Sequence, residues 1–415
     1  MTRVSRRVAA SWVLPVDSPP VTNGAVLLGD DGCIVALGAA EQVPAPPGVP
    51  TTQVRGAILP GLVNVHTHLE LTGFPQVTAP DFPTWIRTII AEKAARAPAD
   101  YLAAARQGIQ DCWAVGITTV ADTGDSGAVI QALAELGASG VAYHEVFGPE
   151  PGQADASLGA ARQRISELAA FAGPRIKLGL SPHAPYSVSG RLYALVARFA
   201  EAEGLPMAVH LAESEDEWRL LGDGSGGFAE SWRARGIPLP APAGCTPVAW
   251  LDRHGVLGPR TLCIHVVRAT DGDLNTLAER GVAIAHCPGS NRRHRHGVAP
   301  LREFLRRGLR VGVGTDSVAS LAPLDLRAEA REARVIGGLD GAAALRLITS
   351  EAARALGLER EVGSLAPGKW GDLVALDLPE TVDVTHLADT VLSLPPGAVA
   401  LTMVAGREVY RRGAR

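Results

Sequence analysis

Paired cysteines, lysine, aromatic residues and long apolar runs are all scarce in this chain of 415 residues. Its five cysteines are scattered and form no C-x-x-C pair, which argues against a disulfide framework or a structural zinc knot and fits a reducing compartment. No apolar run approaches the ~20 residues of a membrane helix. A net charge of −4 excludes a broadly cationic nucleic-acid binder. We therefore expect a cytoplasmic protein that acts on a small molecule, without nucleic-acid or membrane partners.

The two ends of the chain share a pattern of short strands and turns. Apolar and polar positions alternate in residues 24–38 on either side of the turn Asp30-Asp31-Gly32, which predicts a hairpin. Arg6-Arg7 is interpreted as the beginning of a first strand rather than of an export signal, because Ser11 and Pro15 interrupt the apolar stretch that follows. Similar short strands return at 372–377 and 400–410. Neither end is long enough for a core of its own. We expect residues 1–58 and 362–415 to form one small β-sandwich.

The middle of the chain alternates β-branched runs with Ala/Leu/Arg-rich segments of helical period. Helix-compatible stretches such as 99–115 and 190–203 follow the strands. This order predicts an α/β fold, a (β/α)₈ TIM barrel over residues 59–361; an open doubly wound sheet is the alternative, but no G-x-G-x-x-G turn supports it. The eight predicted strands are 59–68, 118–122, 141–147, 176–183, 207–213, 261–267, 282–288 and 310–317.

One irregular segment, residues 222–247, is too long for a plain connection between strand and helix. It contains GDGSGG and PLPAP. We read it as an insertion over the mouth of the barrel, either a lid or a disordered surface loop.

Polar residues concentrate at the last positions of the predicted strands, where a barrel carries its chemistry. A single buried histidine is more often a satisfied core residue, but this many at one rim predict a site. The set is His66, His68, His183, His210, Glu213, His265, His286 and Asp316.

The spacing of His66 and His68 places both imidazoles on the same side of a strand, as two nitrogen ligands for a metal. His210 and Asp316 would complete three nitrogens and one oxygen, leaving a position for a water whose pKa the metal lowers toward ~7. Glu213 follows His210 by three residues and could move the proton of that water. Its other interpretation is an acidic residue at a helix N-terminus.

Several motifs resemble the amidohydrolase superfamily, in its cytosine deaminase/triazine hydrolase-like branch. They span nearly the whole chain: residues 59–70 (LPGLVNVHTHLE), 181–187 (SPHAPYS), 210–214 (HLAES), 286–291 (HCPGSN), 314–317 (GTDS), 363–374 (GSLAPGKWGDLV) and 404–410 (VAGREVY). The resemblance implies a barrel with a split β-sandwich.

The resemblance also implies roles for single residues. His66, His68, His210 and Asp316 correspond to metal ligands, Glu213 to the proton shuttle, His265 to the histidine that polarises the attacked centre, and His183 to a substrate contact. Lys177 lies at the start of its strand rather than the end, which favours one divalent ion over two bridged ones. Zinc is the first expectation, with iron(II) or manganese(II) as alternatives.

Two further polar residues have open interpretations. Glu70 either hydrogen-bonds a ligand histidine or caps the next segment, and we favour the first. His286 has either a purely structural role or a supporting role, in which it contacts the residues that bind metal or substrate rather than the metal or substrate itself.

Within the branch, residues 68–72 (HLELT), 82–86 (FPTWI) and 314–320 (GTDSVAS) look most similar to aminodeoxyfutalosine deaminases. That similarity implies hydrolytic deamination of an aminopurine nucleoside, with Trp85 among the substrate contacts. A hydrolase of another C–N or C–Cl bond, acting on cytosine, guanine, a triazine or an acylated amine, is the alternative. A non-catalytic scaffold is a third, disfavoured because every expected ligand is present. A homodimer is the default expectation for its assembly.

The segment 292–296 (RRHRH) departs from the mostly apolar or lysine-containing residues usual in the family. The plain interpretation is a solvated basic loop. The sharper one places Arg292 and Arg293 at the mouth of the site, where they would bind the carboxylate of an acidic substrate.

Overall fold

The computed structural model describes residues 3–240, 244–379 and 382–414, and its strands fall into two sheets. In chain order the strands are β1 (Val4–Val13), β2 (Val21–Gly29), β3 (Ile34–Ala39), β4 (Thr51–Gln53), β5 (Ala57–Pro60), β6 (Leu62–Thr67), β7 (Ile117–Gly124), β8 (Ser139–Val146), β9 (Ile176–Pro182), β10 (Met207–Leu211), β11 (Thr261–His265), β12 (Ala283–His286), β13 (Arg310–Val313), β14 (Leu373–Leu376), β15 (Val399–Val404) and β16 (Arg407–Arg411).

Both ends of the chain build one mixed sheet, with the order β16-β15-β14-β5-β1-β2-β3 and with β4 paired to β1. The predicted hairpin forms its edge, since β2 and β3 pair antiparallel. Leu59 of β5 lies opposite Val374 of β14, so the sheet extends just beyond the boundary predicted at residue 58. A separate β unit from both termini is confirmed; its description as a sandwich stays a prediction.

The other sheet is an eight-stranded parallel barrel in chain order from β6 to β13. An isolated bridge between Thr67 and Asp316 brings its first and last strands together. Every residue of β6 is buried, because strands of such a barrel are covered on both faces. All eight predicted strands are present, and seven of them end earlier than predicted, whereas β7 continues beyond residue 122 to Gly124. His68, His183, Glu213 and Asp316 therefore lie in the segments just beyond the strands.

Fifteen α-helices accompany the strands within the described residues. They are α1 (Phe82–Ala94), α2 (Pro98–Ala114), α3 (Ala128–Leu136), α4 (Ala154–Leu168), α5 (Gly190–Glu203), α6 (Glu215–Gly222), α7 (Gly226–Ala234), α8 (Pro247–Arg253), α9 (Asp271–Glu279), α10 (Pro288–Arg293), α11 (Leu301–Arg306), α12 (Leu326–Gly337), α13 (Gly341–Arg346), α14 (Ser350–Ala355) and α15 (Leu387–Ser393). Over the described ranges, no helix is both long and apolar enough to cross a membrane.

Helices α1 and α7 matter most for the site, because their side chains cover the carboxyl end of the barrel. Asp81 caps α1 by accepting a hydrogen bond from the amide of Thr84 at 2.8 Å. Helix α7 lies inside the predicted insertion and carries the buried Phe228 and Trp232. Residues 241–243 of that insertion fall outside the described chain, and its function as a lid stays a prediction.

Candidate active site

Three imidazoles and one carboxylate meet at the carboxyl end of the barrel. The ligand atoms of His66, His68 and His210 all lie within 4.8 Å of one another. Asp316 Oδ1 lies 3.6 Å from Nε2 of both His66 and His68. The amides of Thr315 and Asp316 donate to the carbonyl of His66 at 3.2 and 3.0 Å, which fixes the carboxylate beside the H-x-H pair.

Gly314 allows this close approach of the first and last barrel strands. A Cβ at this position would lie 2.9 Å from both the Cβ and the backbone nitrogen of His66, and 3.1 Å from Cys287 Sγ. Real Cβ atoms do not tolerate such contacts with backbone. Any larger residue would therefore push the Asp316 segment away from His66.

Burial sets the protonation states that metal ligands need. His66 is fully buried, neither of its ring nitrogens has a hydrogen-bond partner, and burial lowers its pKa. Burial also lowers the pKa of His68 to about 4 and that of His210 well below its ordinary value. Although burial opposes it, the neighbouring imidazoles hold the pKa of Asp316 well below its usual range. Three neutral imidazoles and one ionised carboxylate form a donor set that fits a divalent transition metal.

The group that orients His68 differs from the prediction. Thr123 Oγ1 lies 3.2 Å from His68 Nδ1. Glu70 instead accepts hydrogen bonds from Lys93 Nζ at 2.8 Å and from the hydroxyl and amide of Ser126. The preferred interpretation of Glu70 as a partner of a ligand histidine is therefore wrong, because a buried carboxylate takes the nearest cation, and Lys93 lies 23 residues ahead in the chain.

Glu213 lies beside His265. Its Oε1 is 3.5 Å from His265 Nε2, and both side chains are almost fully buried. Burial raises the pKa of Glu213 to about 7, against the opposing effect of His265. A carboxyl group that titrates near neutral pH can both accept and donate a proton. His265 Nδ1 donates to Asn291 Oδ1 at 2.9 Å, which fixes the ring with Nε2 facing Glu213.

A buried carboxylate, which the sequence analysis missed, holds the segment that carries Glu213. Glu217 Oε1 accepts from the amide of Ala212 at 2.7 Å, and Oε2 accepts from the amide of Glu213 at 2.9 Å. Ala212, His265 and Asp316 all adopt positive φ angles, of 50°, 71° and 59°. Such conformations cost about 1–3 kcal/mol each and persist where the surroundings enforce them. The sequence feature that could have revealed the role of Glu217 is its spacing from Glu213 across the start of a helix.

A cavity of about 600 Å³ opens above these residues and reaches His68, His210, Glu213, His265 and Asp316. Its walls are mainly aromatic: the rings of Phe82 and Trp85 stack with centroids 5.7 Å apart, and those of Tyr186 and Phe228 with centroids 4.1 Å apart. Flat apolar walls of this kind accept a planar heterocycle.

The predicted substrate contacts His183 and Trp85 both line the cavity. His183 Nδ1 lies 2.7 Å from Ser187 Oγ, and its Nε2 lies 3.9 Å from Glu145 Oε1. Burial lowers the pKa of His183 to about 3, so its ring is neutral. His286 is fully buried at the end of β12 and does not line the cavity. Its supporting role stays a prediction.

Arg292 and Arg293 lie outside the cavity. Arg292 is exposed and pairs with Glu332, while Arg293 donates to Thr78 Oγ1 at 3.1 Å. Since neither arginine lines the cavity, the structure does not support the sharper interpretation, and a carboxylate-binding pair at the mouth stays a prediction. The cationic side chains that line the cavity are Arg87, Lys93 and Arg235.

Comparison with known proteins identifies the family. The model of the amidohydrolase family matches residues 57–409. A 5'-deoxyadenosine deaminase of Methanothermobacter thermautotrophicus is 33% identical, with 87% of this chain and 82% of that protein covered. An aminodeoxyfutalosine deaminase of Deinococcus radiodurans is 32% identical, with 81% of each covered. A 5-methylthioadenosine/S-adenosylhomocysteine deaminase of Symbiobacterium thermophilum is 32% identical, with 97% and 93% covered.

Solved structures share the fold at lower identity. The aminofutalosine deaminase of Helicobacter pylori has a TM-score of 0.85 at 20% identity, covering 98% of this chain and 100% of that one. An adenosine deaminase of Xanthomonas campestris with bound zinc has a TM-score of 0.82 at 24% identity, covering 98% and 93%. The parallel barrel, its cluster of three histidines that could hold a metal ion and the matched residues 57–409 agree: this chain belongs to the amidohydrolase family.

Proposed function

We propose that this enzyme deaminates a purine nucleoside by hydrolysis, converting the 6-amino group to a 6-oxo group with release of ammonia. The observation that carries the proposal is the position of Glu213, with a pKa near 7, beside the metal-binding cluster in a cavity with aromatic walls. The three relatives described above support it, because the nucleosides in their names share an aminopurine and differ at the 5' position.

His66, His68, His210 and Asp316 would hold one divalent ion, which we propose to be zinc, with iron(II) or manganese(II) as alternatives. When bound, such an ion lowers the pKa of a water molecule toward ~7 and so makes hydroxide available near neutral pH. The orphaned ring nitrogens of the buried His66 support this assignment.

Glu213 and Asp316 handle the two protons of the attacking water. Glu213 takes the first and delivers it to a ring nitrogen of the purine, which ends aromaticity and makes the adjacent carbon electrophilic. Asp316 takes the second, which passes to the amino group that leaves as ammonia. A C–O bond forms, a C–N bond breaks, and the protons balance. His265 stabilises the charge that develops at the attacked carbon's oxygen.

The remaining cavity residues position the substrate. Trp85, Phe82 and Tyr186 offer flat apolar surfaces to the purine, and the neutral His183 offers a hydrogen bond to its edge. The aromatic walls limit the access of bulk water to the proton transfers.

Ammonia release from metal-loaded protein tests the proposal. The panel contains adenosine, 5'-deoxyadenosine, S-adenosylhomocysteine and aminodeoxyfutalosine, with cytosine, guanine and a chlorotriazine as comparators. We expect release from at least one aminopurine nucleoside and a loss of about 10²–10⁴-fold in E213Q. Turnover of only cytosine, guanine or the triazine would instead support a hydrolase of another C–N or C–Cl bond. No turnover of any compound would refute the deaminase.

A further inference from the structure

The basic segment after Asn291 divides its side chains between two faces. Arg292 and Arg295 are exposed, whereas His296 is buried with an exposed fraction of 4%. Arg295 adopts a left-handed backbone with a φ of 60°, which turns the chain so that the residues on either side of it share one face. The rings of His294 and His296 accordingly stack, with centroids 5.4 Å apart. Both histidines contact Phe82 of the aromatic wall, and His296 also approaches Glu213.

His296 approaches the same carboxylate oxygen as His265. Its Nε2 lies 3.2 Å from Glu213 Oε1, and His265 Nε2 lies 3.5 Å from that atom. The ring of His265 is held from its other side, because its Nδ1 donates to Asn291 Oδ1 at 2.9 Å. His296 Nε2 is buried and forms no hydrogen bond among the described residues, so Glu213 Oε1 at 3.2 Å is the carboxylate oxygen within its reach. His296 Nε2 therefore has no competing partner among the described residues and is close enough to donate to Oε1.

We propose that His296 is a positioning residue for Glu213: it donates Nε2–H to Oε1, holds the carboxylate in its ionised form and leaves Oε2 as the oxygen that carries the proton. In naming Glu213 as the shuttle this rests on the proposed function. Oε1 is held between two imidazoles, so a proton moving between water and substrate uses the other oxygen.

The groups around His296 keep its ring neutral and fixed. The charged or titratable groups that act on it are Glu213, His265, His294, Asp216, Arg268 and Asp316. Arg268 is paired with Glu215, and Asp216 accepts from the amide of Gly227. Burial lowers the pKa of His296 to about 4, so the neutral ring carries a single N–H at pH 7.

The ring is also packed against the aromatic wall. Its centroid lies 4.6 Å from that of Phe82, edge to face, and Phe82 stacks on Trp85. Helix α1, which carries both aromatic residues, thus fixes the position of His296, and a substrate resting on this wall lies next to the group that orients Glu213.

Carbon-13 NMR of the glutamate carboxyls in metal-loaded protein measures the contact without a substrate. The Glu213 resonance is identified by its loss in E213Q, and its titration is compared in wild type, H296L and H296Q. Removing a donor destabilises the ionised carboxylate, so we expect H296L to raise the Glu213 pKa by about one unit. H296Q retains an N–H donor and restores most of the shift. The exposed R292A is the matched control and leaves the titration unchanged.

Kinetics with the aminopurine nucleoside that is turned over give a second readout. We expect H296L to lower kcat about fivefold at pH 7, because a smaller fraction of Glu213 is ionised, with KM within about twofold. The acidic limb of the pH profile moves upward, and H296Q reverses both effects. A Glu213 titration that is the same in wild type and in folded, metal-loaded H296L overturns the proposal. If H296L does not fold, H296M carries the same comparison. Absence of turnover in wild type refutes the deaminase, while the carboxyl titration still decides the role of His296.

Discussion

Replacing Lys93 by methionine tests how burial controls the strength of an ion pair in this fold. Lys93 Nζ lies 2.8 Å from Glu70 Oε1 and 2.5 Å from Asp125 Oδ1, and the Glu70 side chain is 2% exposed. Without the cation, Glu70 is a buried carboxylate that keeps only Ser126 as a partner. We expect a loss of about 3–5 kcal/mol in the free energy of unfolding.

The chain supplies its own control, because Lys177 forms a pair of the same length. Its Nζ also lies 2.8 Å from a carboxylate, Glu361 Oε1, but the two side chains are 40% and 31% exposed. An exposed pair contributes about 0–1 kcal/mol. We therefore expect K177M to leave stability nearly unchanged, and the double variant K93M/E70Q to recover part of the loss in K93M, since it removes the buried charge.

Urea unfolding of the metal-loaded variants, followed by circular dichroism, measures these differences. The expected gap of at least about 2 kcal/mol between K93M and K177M corresponds to roughly a thirtyfold change in the unfolding constant. Equal losses in the two variants would refute the argument from burial, and an undiminished loss in K93M/E70Q would refute the argument that the stranded Glu70 causes it.

Further measurements test the site itself. Because Glu213 must be ionised to accept a proton and its pKa is about 7, kcat/KM should fall as the pH is lowered through about 7, and E213Q should remove that inflection. D316N should lose bound metal, measured by mass spectrometry, as should wild type treated with a chelator, and activity should return with added zinc. G314A, whose Cβ would meet His66, should lower metal affinity, whereas G159A, on helix α4 with open space around it, should not. R292A should change KM for an acidic nucleoside by less than about twofold.

Residues whose position follows from barrel topology were predictable from the sequence. His66, His68, His210 and Asp316 each come at the end of a buried strand, and parallel strands in a barrel bring those ends together regardless of their distance in the chain. The pairing of the chain termini into one sheet was predictable for a similar reason, because neither end could bury its apolar face alone.

Residues whose role depends on one backbone angle or one distant side chain were not predictable. The inward direction of His294 and His296 depends on the left-handed φ of Arg295, a conformation that arginine rarely adopts. Glu70 was misassigned because its partner Lys93 comes from the far end of α1. The clamp by Glu217 escaped notice because an acidic residue in a first helical turn is ordinarily explained by the helix dipole alone.

The bridge between Thr67 and Asp316 has a consequence for the closure of the barrel between its first and last strands. The sheet runs without interruption from β6 to β13, and the junction between these two outermost strands is made by short contacts at His66, Thr67, Thr315 and Asp316. Two of those four residues are proposed ligands of the same ion. A cation bound at this junction would link the first and last strands of the barrel, so that separation of these strands and release of the cation would occur together.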